Sequence, residues 1–231
     1  MTEIKQAVIV AFVGKTQDRF SEYQKPATTK DKLEVVSRIE GFTGAEMVFP
    51  YETGYPLETI GEAFDYLPEI PLFIEPKYSE TRVHYQLDST AKALVLQKEV
   101  GNPNTGITLD MGHSLQSQEN PAQALSLIYE SGFDAYIHTN DNDAKADWDL
   151  IGASRHFLHY VEPMFWAREY GYSKFFTTGA SPSIFDIVEF FNRHSEITIG
   201  VYNLAKSLNR EKIQEMMQSE DFNGLMKMVN K

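Results

Sequence analysis

Cysteine is absent from all 231 residues. That excludes disulfides, thiolate metal ligands and a cysteine nucleophile, so any bound metal must be held by oxygen and nitrogen. No apolar run approaches the roughly 18 residues that a membrane-spanning helix requires. The segment Met1-Thr2-Glu3-Ile4-Lys5-Gln6 carries neither the basic patch nor the apolar core of an export signal. A soluble, cytoplasmic chain with no membrane partner is therefore expected. Basic residues are also scarce: 21 Lys and Arg face 33 Asp and Glu, for a net charge of −12. No Lys/Arg cluster offsets this charge, which repels phosphodiester backbones and argues against a nucleic-acid partner. Internal repeats, low-complexity tracts and interdomain linkers are missing as well.

The remainder is ordinary for a globular protein, at 42% hydrophobic and 23% charged residues. The length suits one domain over residues 1–231. Ala7 to Val13 reads as a buried parallel strand, being continuous in apolar and β-branched residues. A helix capped by Thr29 and ended by Gly41 follows, then a strand from Ala45 to Phe49. Beyond these come a helix over Leu57 to Leu67, a strand over Ile70 to Glu75, a helix over Thr90 to Val100 before Gly101, and a strand over Gly106 to Asp110. Asn120 with Pro121 marks a helix start, and Gly132 ends that helix. Ala135 to Thr139 reads as a strand, Ile151 to Tyr170 as a long helix, Lys174 to Thr177 as a short strand, and Ser181 with Pro182 as another helix start.

Strand and helix alternate without an antiparallel hairpin signal, which favours a TIM-type (β/α) barrel or a doubly wound sheet. The polar clusters lie at the carboxyl ends of strands, where barrel enzymes place their chemistry, and this favours the barrel. About six β/α units are present where a full barrel has eight, so the expected fold is an incomplete barrel with a C-terminal helical tail over 197–231. Exposed barrel edges invite association, and a homo-oligomer is expected, with the tail as a possible subunit contact.

Three clusters carry the chemistry: Glu75-Pro76-Lys77, Asp110-Met111-Gly112-His113, and His138 followed by Asp147-Trp148-Asp149. Glu75 and Lys77 lie two apart, so on a strand their side chains share a face; a plain salt bridge is the alternative reading. Asp110 and His113 frame a tight turn at Met111-Gly112. Asp147 and Asp149 leave one side of an extended segment, while Asp141 and Asp143 read as a solvated turn. Carboxylates with imidazoles suit Mn²⁺, Mg²⁺ or Co²⁺, with Zn²⁺ also admissible. Trp148 is a candidate wall for a sugar pocket and Trp166 a core residue. Lys15, Asp18 and Arg19 read as solvated loop charges, and His84, His156, His159 and His194 receive no role.

The run Ile74-Glu75-Pro76-Lys77-Tyr78-Ser79-Glu80 resembles the Glu-Pro-Lys motif of xylose isomerase and the related rhamnose isomerases. Leu109 to His113 is similar to their next ligand turn, and Asp147-Trp148-Asp149 to the paired aspartates of their second metal. The segments Phe12 to Tyr23 and Glu46 to Tyr51 are consistent with their first two barrel strands. The resemblance implies a divalent-metal-dependent aldose–ketose isomerase acting by hydride shift on a small-molecule sugar. Glu75 and His138 would bind a substrate-holding metal shared by Asp110. His113, Asp147 and Asp149 would bind a second metal carrying water. Lys77 would lie near the substrate oxygen, with Lys77 and Asp147 as catalytic residues. The chain departs from the pattern twice: Gly179 stands where the last strand carries an Asp ligand, and nothing matches strands three and four. The alternatives are a ketose 3-epimerase on the same barrel, or a non-catalytic truncated barrel that retains part of the metal site.

Overall fold

The computed structural model describes residues 4–13, 29–46, 71–80, 83–181 and 186–229. The expected helix over Leu57 to Leu67 and the loop charges Lys15, Asp18 and Arg19 lie outside these residues. Eight strands are described: β1 (Gln6–Ile9), β2 (Phe42–Glu46), β3 (Leu72–Ile74), β4 (Ser79–Glu80), β5 (Val83–His84), β6 (Thr105–Asp110), β7 (Asp134–Thr139) and β8 (Phe176–Thr178). Six of them form one sheet in the order β2-β1-β8-β7-β6-β3, and every neighbouring pair is parallel.

This order decides between the two candidate architectures. From β3 through β6, β7 and β8 the chain always steps in one direction, and β1 then pairs with β8. A doubly wound sheet reverses direction at a switch point, whereas a barrel brings its first strand beside its last. The fold is an incomplete (β/α) barrel whose described edges are β2 and β3.

Period-two alternation assigns the two faces of each strand. Ile107 and Leu109 of β6, with Ala135 and Ile137 of β7, point into a core shared with Leu125, Ile128 and Met164 of the surrounding helices. The intervening residues Asp110 and His138 face the other way, into the barrel. The register sets Asp110 beside His138, and His138 beside Thr177. A second cluster on the β1 side contains Val8, Val13, Val36, Ile39 and Phe191.

Local chemistry explains the element ends. Helix α1 (Thr29–Val36) ends short of the expected stop at Gly41. Helix α2 (Thr90–Val100) stops at Gly101, whose φ of 63° is left-handed. Helix α3 (Met111–Gln116) starts from Asp110. Helix α4 (Pro121–Glu130) starts where Asn120 Oδ1 accepts from the amides of Ala122 and Gln123. Helix α5 (Phe157–Glu169) begins six residues later than the apolar pattern suggests. The Asp141 carboxylate takes the amides of Arg155 and His156, which holds the preceding segment in a turn. Helix α6 (Ile187–Ser207) starts at Asp186, whose side chain accepts from the amide of Glu189; the expected start at Ser181-Pro182 runs into residues 182–185, outside the described set.

The structure corrects further expectations. The first strand ends at Ile9 because Val10–Phe12 form a 3-10 turn closed by the Val13 amide on the Val10 carbonyl. Met111-Gly112 is the opening of a helix, since Asp110 caps it, and not a free turn. An antiparallel hairpin, β4 with β5, does exist; its two-residue strands are too short to show alternation. In the tail, Ile213, Met228 and Val229 pack against the main core. Among the described residues, no helix is long and apolar enough to cross a membrane.

Candidate functional site

Asp110 ends β6, and its Oδ1 accepts the amide of His113 at 2.8 Å, so the first helical turn carries the His113 ring back over the strand end. Glu75 directly follows β3, and His138 lies near the end of β7. Three parallel strands therefore deliver four polar side chains to one level of the barrel mouth. His113 Nδ1 lies 3.2 Å from Glu75 Oε1 and 3.9 Å from Asp110 Oδ1. His138 Nδ1 lies 3.3 Å from the same Glu75 oxygen and 3.7 Å from Asp110 Oδ2. Both rings thus aim Nδ1 at the same two carboxylates. Each Nε2 has a carboxylate behind it: Asp147 Oδ2 at 3.2 Å from His113, and Glu46 Oε2 at 3.1 Å from His138.

Does this set suit a cation? Ligand atoms of Glu75, Asp110 and His113 all lie within 4.8 Å of one another. His113 Nδ1 and Asp147 Oδ1 are buried without a hydrogen-bond partner. The 3.2 Å approach of Nδ1 to Glu75 is close enough for attraction but not aligned as a hydrogen bond. Orphaned donor atoms in a nest of carboxylates fit an ion held by oxygen and nitrogen. Glu75, Asp110 and His113 form a possible metal site.

Without an ion, the imidazoles and carboxylates stabilise one another's charge. Burial opposes the charge on each imidazole, yet Asp110 beside His113 and Glu75 beside His138 raise both well above the usual histidine range. Burial likewise opposes ionisation of Glu75, but the His138 charge and the close approach of both imidazoles hold its carboxyl well below the ordinary range. Asp147 is also lowered: against its burial stand His113 and Lys77. Lys77 bonds Asp147 Oδ2 at 2.6 Å and pairs with Glu80. Burial works against its charge too, but these bonds keep the ammonium protonated beyond its usual range.

Residues 140–150 form the loop that brings Asp147 in. Asn140 binds Asp110 Oδ2 through Nδ2 at 3.2 Å and accepts the Gly112 amide on Oδ1 at 2.8 Å. Asn142 donates to the Gly112 carbonyl at 2.7 Å. A β-carbon on Gly112 would fall 2.8 Å from Asn140 Oδ1, so this clamp requires glycine. Asp141, expected in a solvated turn, is only 1% exposed. Sequence pattern hides this because its partners, the amides of Arg155 and His156 and the His156 ring, come from 14 and 15 residues away. Gly179 explains the missing last-strand ligand in physical terms: a β-carbon there would meet both Asp110 Oδ2 and Asn140 Nδ2 at 3.1 Å. The Asn140–Asp110 bond fills that space.

Asp147 and Asp149 do not leave one side of an extended strand, because Asp149 has a φ of 48°. Burial, then the charges of Asp147 and Asp110, push the Asp149 carboxyl up to about 8. Its folded value lies above the ordinary 3.8, so in metal-free protein its ionisation costs stability increasingly as pH rises from 3.8 to about 8. Asp149→Asn removes this cost. Its stability advantage over wild type in urea melts of metal-free protein should be nil at acid pH, grow through that window and level off above it. An advantage independent of pH would contradict the assignment.

A 630 Å³ cavity opens beside the cluster, lined by Glu75, Lys77, Glu80, Tyr85, Gln86 and His113 together with Leu87. The hairpin supplies its far wall, since Lys77 N–H donates to the Leu87 carbonyl and Tyr85 N–H to that of Tyr78. Trp148, the expected pocket wall, is 59% exposed and does not line this cavity. His194 is buried, and burial lowers it to about 3, so it is a neutral structural imidazole beside Thr139. Sequence reasoning gave no role to Glu46, Glu80, Tyr85, Gln86 and Asn140, and read the buried Asp141 as solvated. Glu46 lies near the start of the strand expected from Ala45 to Phe49, and only the observed β2, Phe42–Glu46, puts it at a strand end.

No family model matches the sequence, and no curated protein matches it. Solved structures do. The crystal structure of a D-tagatose 3-epimerase-like protein is 18% identical with a TM-score of 0.50, covering 68% of this chain and 55% of that one. The apo crystal structure of 3-keto-D-glucoside 4-epimerase from E. coli is 14% identical with a TM-score of 0.45, over 86% of this chain and 78% of that one. This chain spans little more than half the length of the first, and at these identities the likeness is one of fold.

Proposed function

We propose that this chain, whose fold is an incomplete xylose isomerase-like barrel, is a divalent-metal-dependent enzyme that interconverts an aldose and a ketose. The observation that carries the proposal is the convergence of Glu75, Asp110 and His113, with His138, at the carboxyl ends of three parallel strands beside an open polar cavity. These residues would hold Mn²⁺, Mg²⁺ or Co²⁺, with Zn²⁺ admissible. Once bound, the ion supplies Lewis-acid polarisation of the sugar carbonyl and a more acidic water.

The chain's own groups do the rest. Lys77, kept protonated between Asp147 and Glu80, donates to the substrate oxygen that gains negative charge. Asp147 fixes that ammonium and the His113 ring together. The Glu75, Glu80 and Gln86 side chains offer acceptors to sugar hydroxyls along the cavity wall. In the aldose-to-ketose direction, the hydrogen on C2 moves with its electron pair to C1, while the O2 proton passes to O1.

A ketose epimerase is the second reading, favoured by the fold likeness to a D-tagatose 3-epimerase-like protein. Against it, Gly179 leaves the last strand without a carboxylate to return a proton from the opposite face. A panel of aldoses and ketoses, incubated with Mn²⁺, Co²⁺ and Mg²⁺ in D₂O, separates the readings. Isomerisation with no solvent deuterium at the reacting carbon is expected. Deuterium at carbon accompanying epimerised product would shift the assignment to the epimerase. Metal binding with no turnover of any sugar would mark a non-catalytic barrel.

A further inference from the structure

We propose that Glu46 is a positioning residue that orients the His138 imidazole, fixing its Nε2–H tautomer so that Nδ1 presents its lone pair to the metal. The assignment rests on the metal site proposed above and adds a residue outside it. Glu46 closes β2, three places from β7 in the sheet order, so only the curvature of the barrel brings the two residues together. Its Oε2 meets His138 Nε2 at 3.1 Å, on the opposite side of the ring from Glu75 and Asp110.

An imidazole that gives one nitrogen to a cation needs an acceptor for the proton on the other, and that acceptor sets both tautomer and ring angle. His113 shows the same construction independently: Nδ1 toward Glu75 and Asp110, Nε2 on Asp147. Two rings, one from the first turn of α3 and one from β7, oriented alike and each backed by its own carboxylate, are hard to explain as a single chance ion pair. The Tyr136 ring also meets His138 edge-on at 5.7 Å, which limits the ring's freedom to flip.

The test is calorimetric titration of Mn²⁺ and Zn²⁺ into wild type, Glu46→Ala and Glu46→Gln, each also in a His138→Ala background, with the melting temperature of every metal-free protein recorded. Glu46→Ala should weaken binding by about 10- to 100-fold, as loss of such an outer partner does elsewhere. Glu46→Gln, which keeps an acceptor oxygen, should lose less. In the His138→Ala background, Glu46→Ala should cost nothing more, because the pair acts as a unit.

An equal loss from Ala and Gln, persisting without His138, would make Glu46 a ligand in its own right and overturn the proposal. So would unchanged affinity accompanied by a lower metal-free melting temperature. If Glu46→Ala does not fold, nitrogen-15 NMR of zinc-loaded wild type and Glu46→Gln decides: a His138 Nε2 proton whose resonance moves in Glu46→Gln supports the assignment, whereas a proton on Nδ1, or an Nε2 proton that Glu46→Gln leaves unmoved, overturns it. Wild type that binds neither ion overturns the metal site and this assignment together, whereas tight binding untouched by Glu46→Ala overturns the assignment only.

Discussion

Mn²⁺ at a hundredfold excess over its Kd should stabilise the folded chain by about 2.7 kcal/mol, a rise in melting temperature on the order of 5–10 °C for a domain of this size. Glu75→Gln should abolish that rise. Glu75 Oε1 lies 3.2 Å from His113 Nδ1 and 3.3 Å from His138 Nδ1. Glutamine keeps its volume and removes its charge, so the comparison isolates electrostatics from packing. The quantity to compare is the shift between metal-free and metal-loaded protein within each variant. Glu75→Gln also alters the metal-free state, where the wild-type carboxylate is stabilised by His138 and His113.

The same shift should grow with pH. A metal takes neutral imidazole, and both His113 and His138 titrate well above the ordinary 6.5 when no ion is present. Protons therefore compete with the ion over a range that extends above 6.5. For metal-free protein the sign is opposite. The raised imidazoles contribute stability that is complete below 6.5 and is lost as pH rises through their folded values. Differential scanning fluorimetry at several pH values, with and without Mn²⁺, reads both trends. A metal-induced shift that is absent, or that survives Glu75→Gln, would remove Glu75 from the site.

The second large effect belongs to Asp141→Ala. Oδ2 accepts the amides of Arg155 and His156 at 2.7 and 2.9 Å, and Oδ1 accepts that of Asn142 and meets His156 Nδ1, each at 2.8 Å. The Asp141 main chain also exchanges both hydrogen bonds with Leu150. Alanine would strand four donors at once, the buried amide of Asn142 and the part-buried amides of Arg155 and His156 with the His156 ring. The expected loss is about 3 kcal/mol, with a melting temperature lower by roughly 6–12 °C. The loop it anchors carries Asp147, so Lys77 and His113 would lose their shared partner as well. Thermal unfolding measures the first consequence and metal titration of the still-folded protein the second. A fall of less than about 1 kcal/mol would show that the loop holds itself in place without this carboxylate.

The sequence by itself determined the parts that depend on near neighbours. Asn120 with Pro121, Gly101, and the apolar runs of β6 and β7 act over one turn or one strand, and the elements they predict are present. The strand-end placement of Glu75, Asp110 and His138 was legible for the same reason, since a run of buried residues ends where its polar neighbours begin. Tertiary structure alone decided what depends on distant approach. The pairing of β1 with β8 selects a barrel, and barrel curvature carries Glu46 to His138. Asp141 is buried by amides 14 and 15 residues further on, and Gly179 lacks a side chain because Asn140 and Asp110 occupy the space. Hydrogen-bond partners and contact distances across a curved sheet have no period in the sequence, so they become visible only when the strands are set side by side.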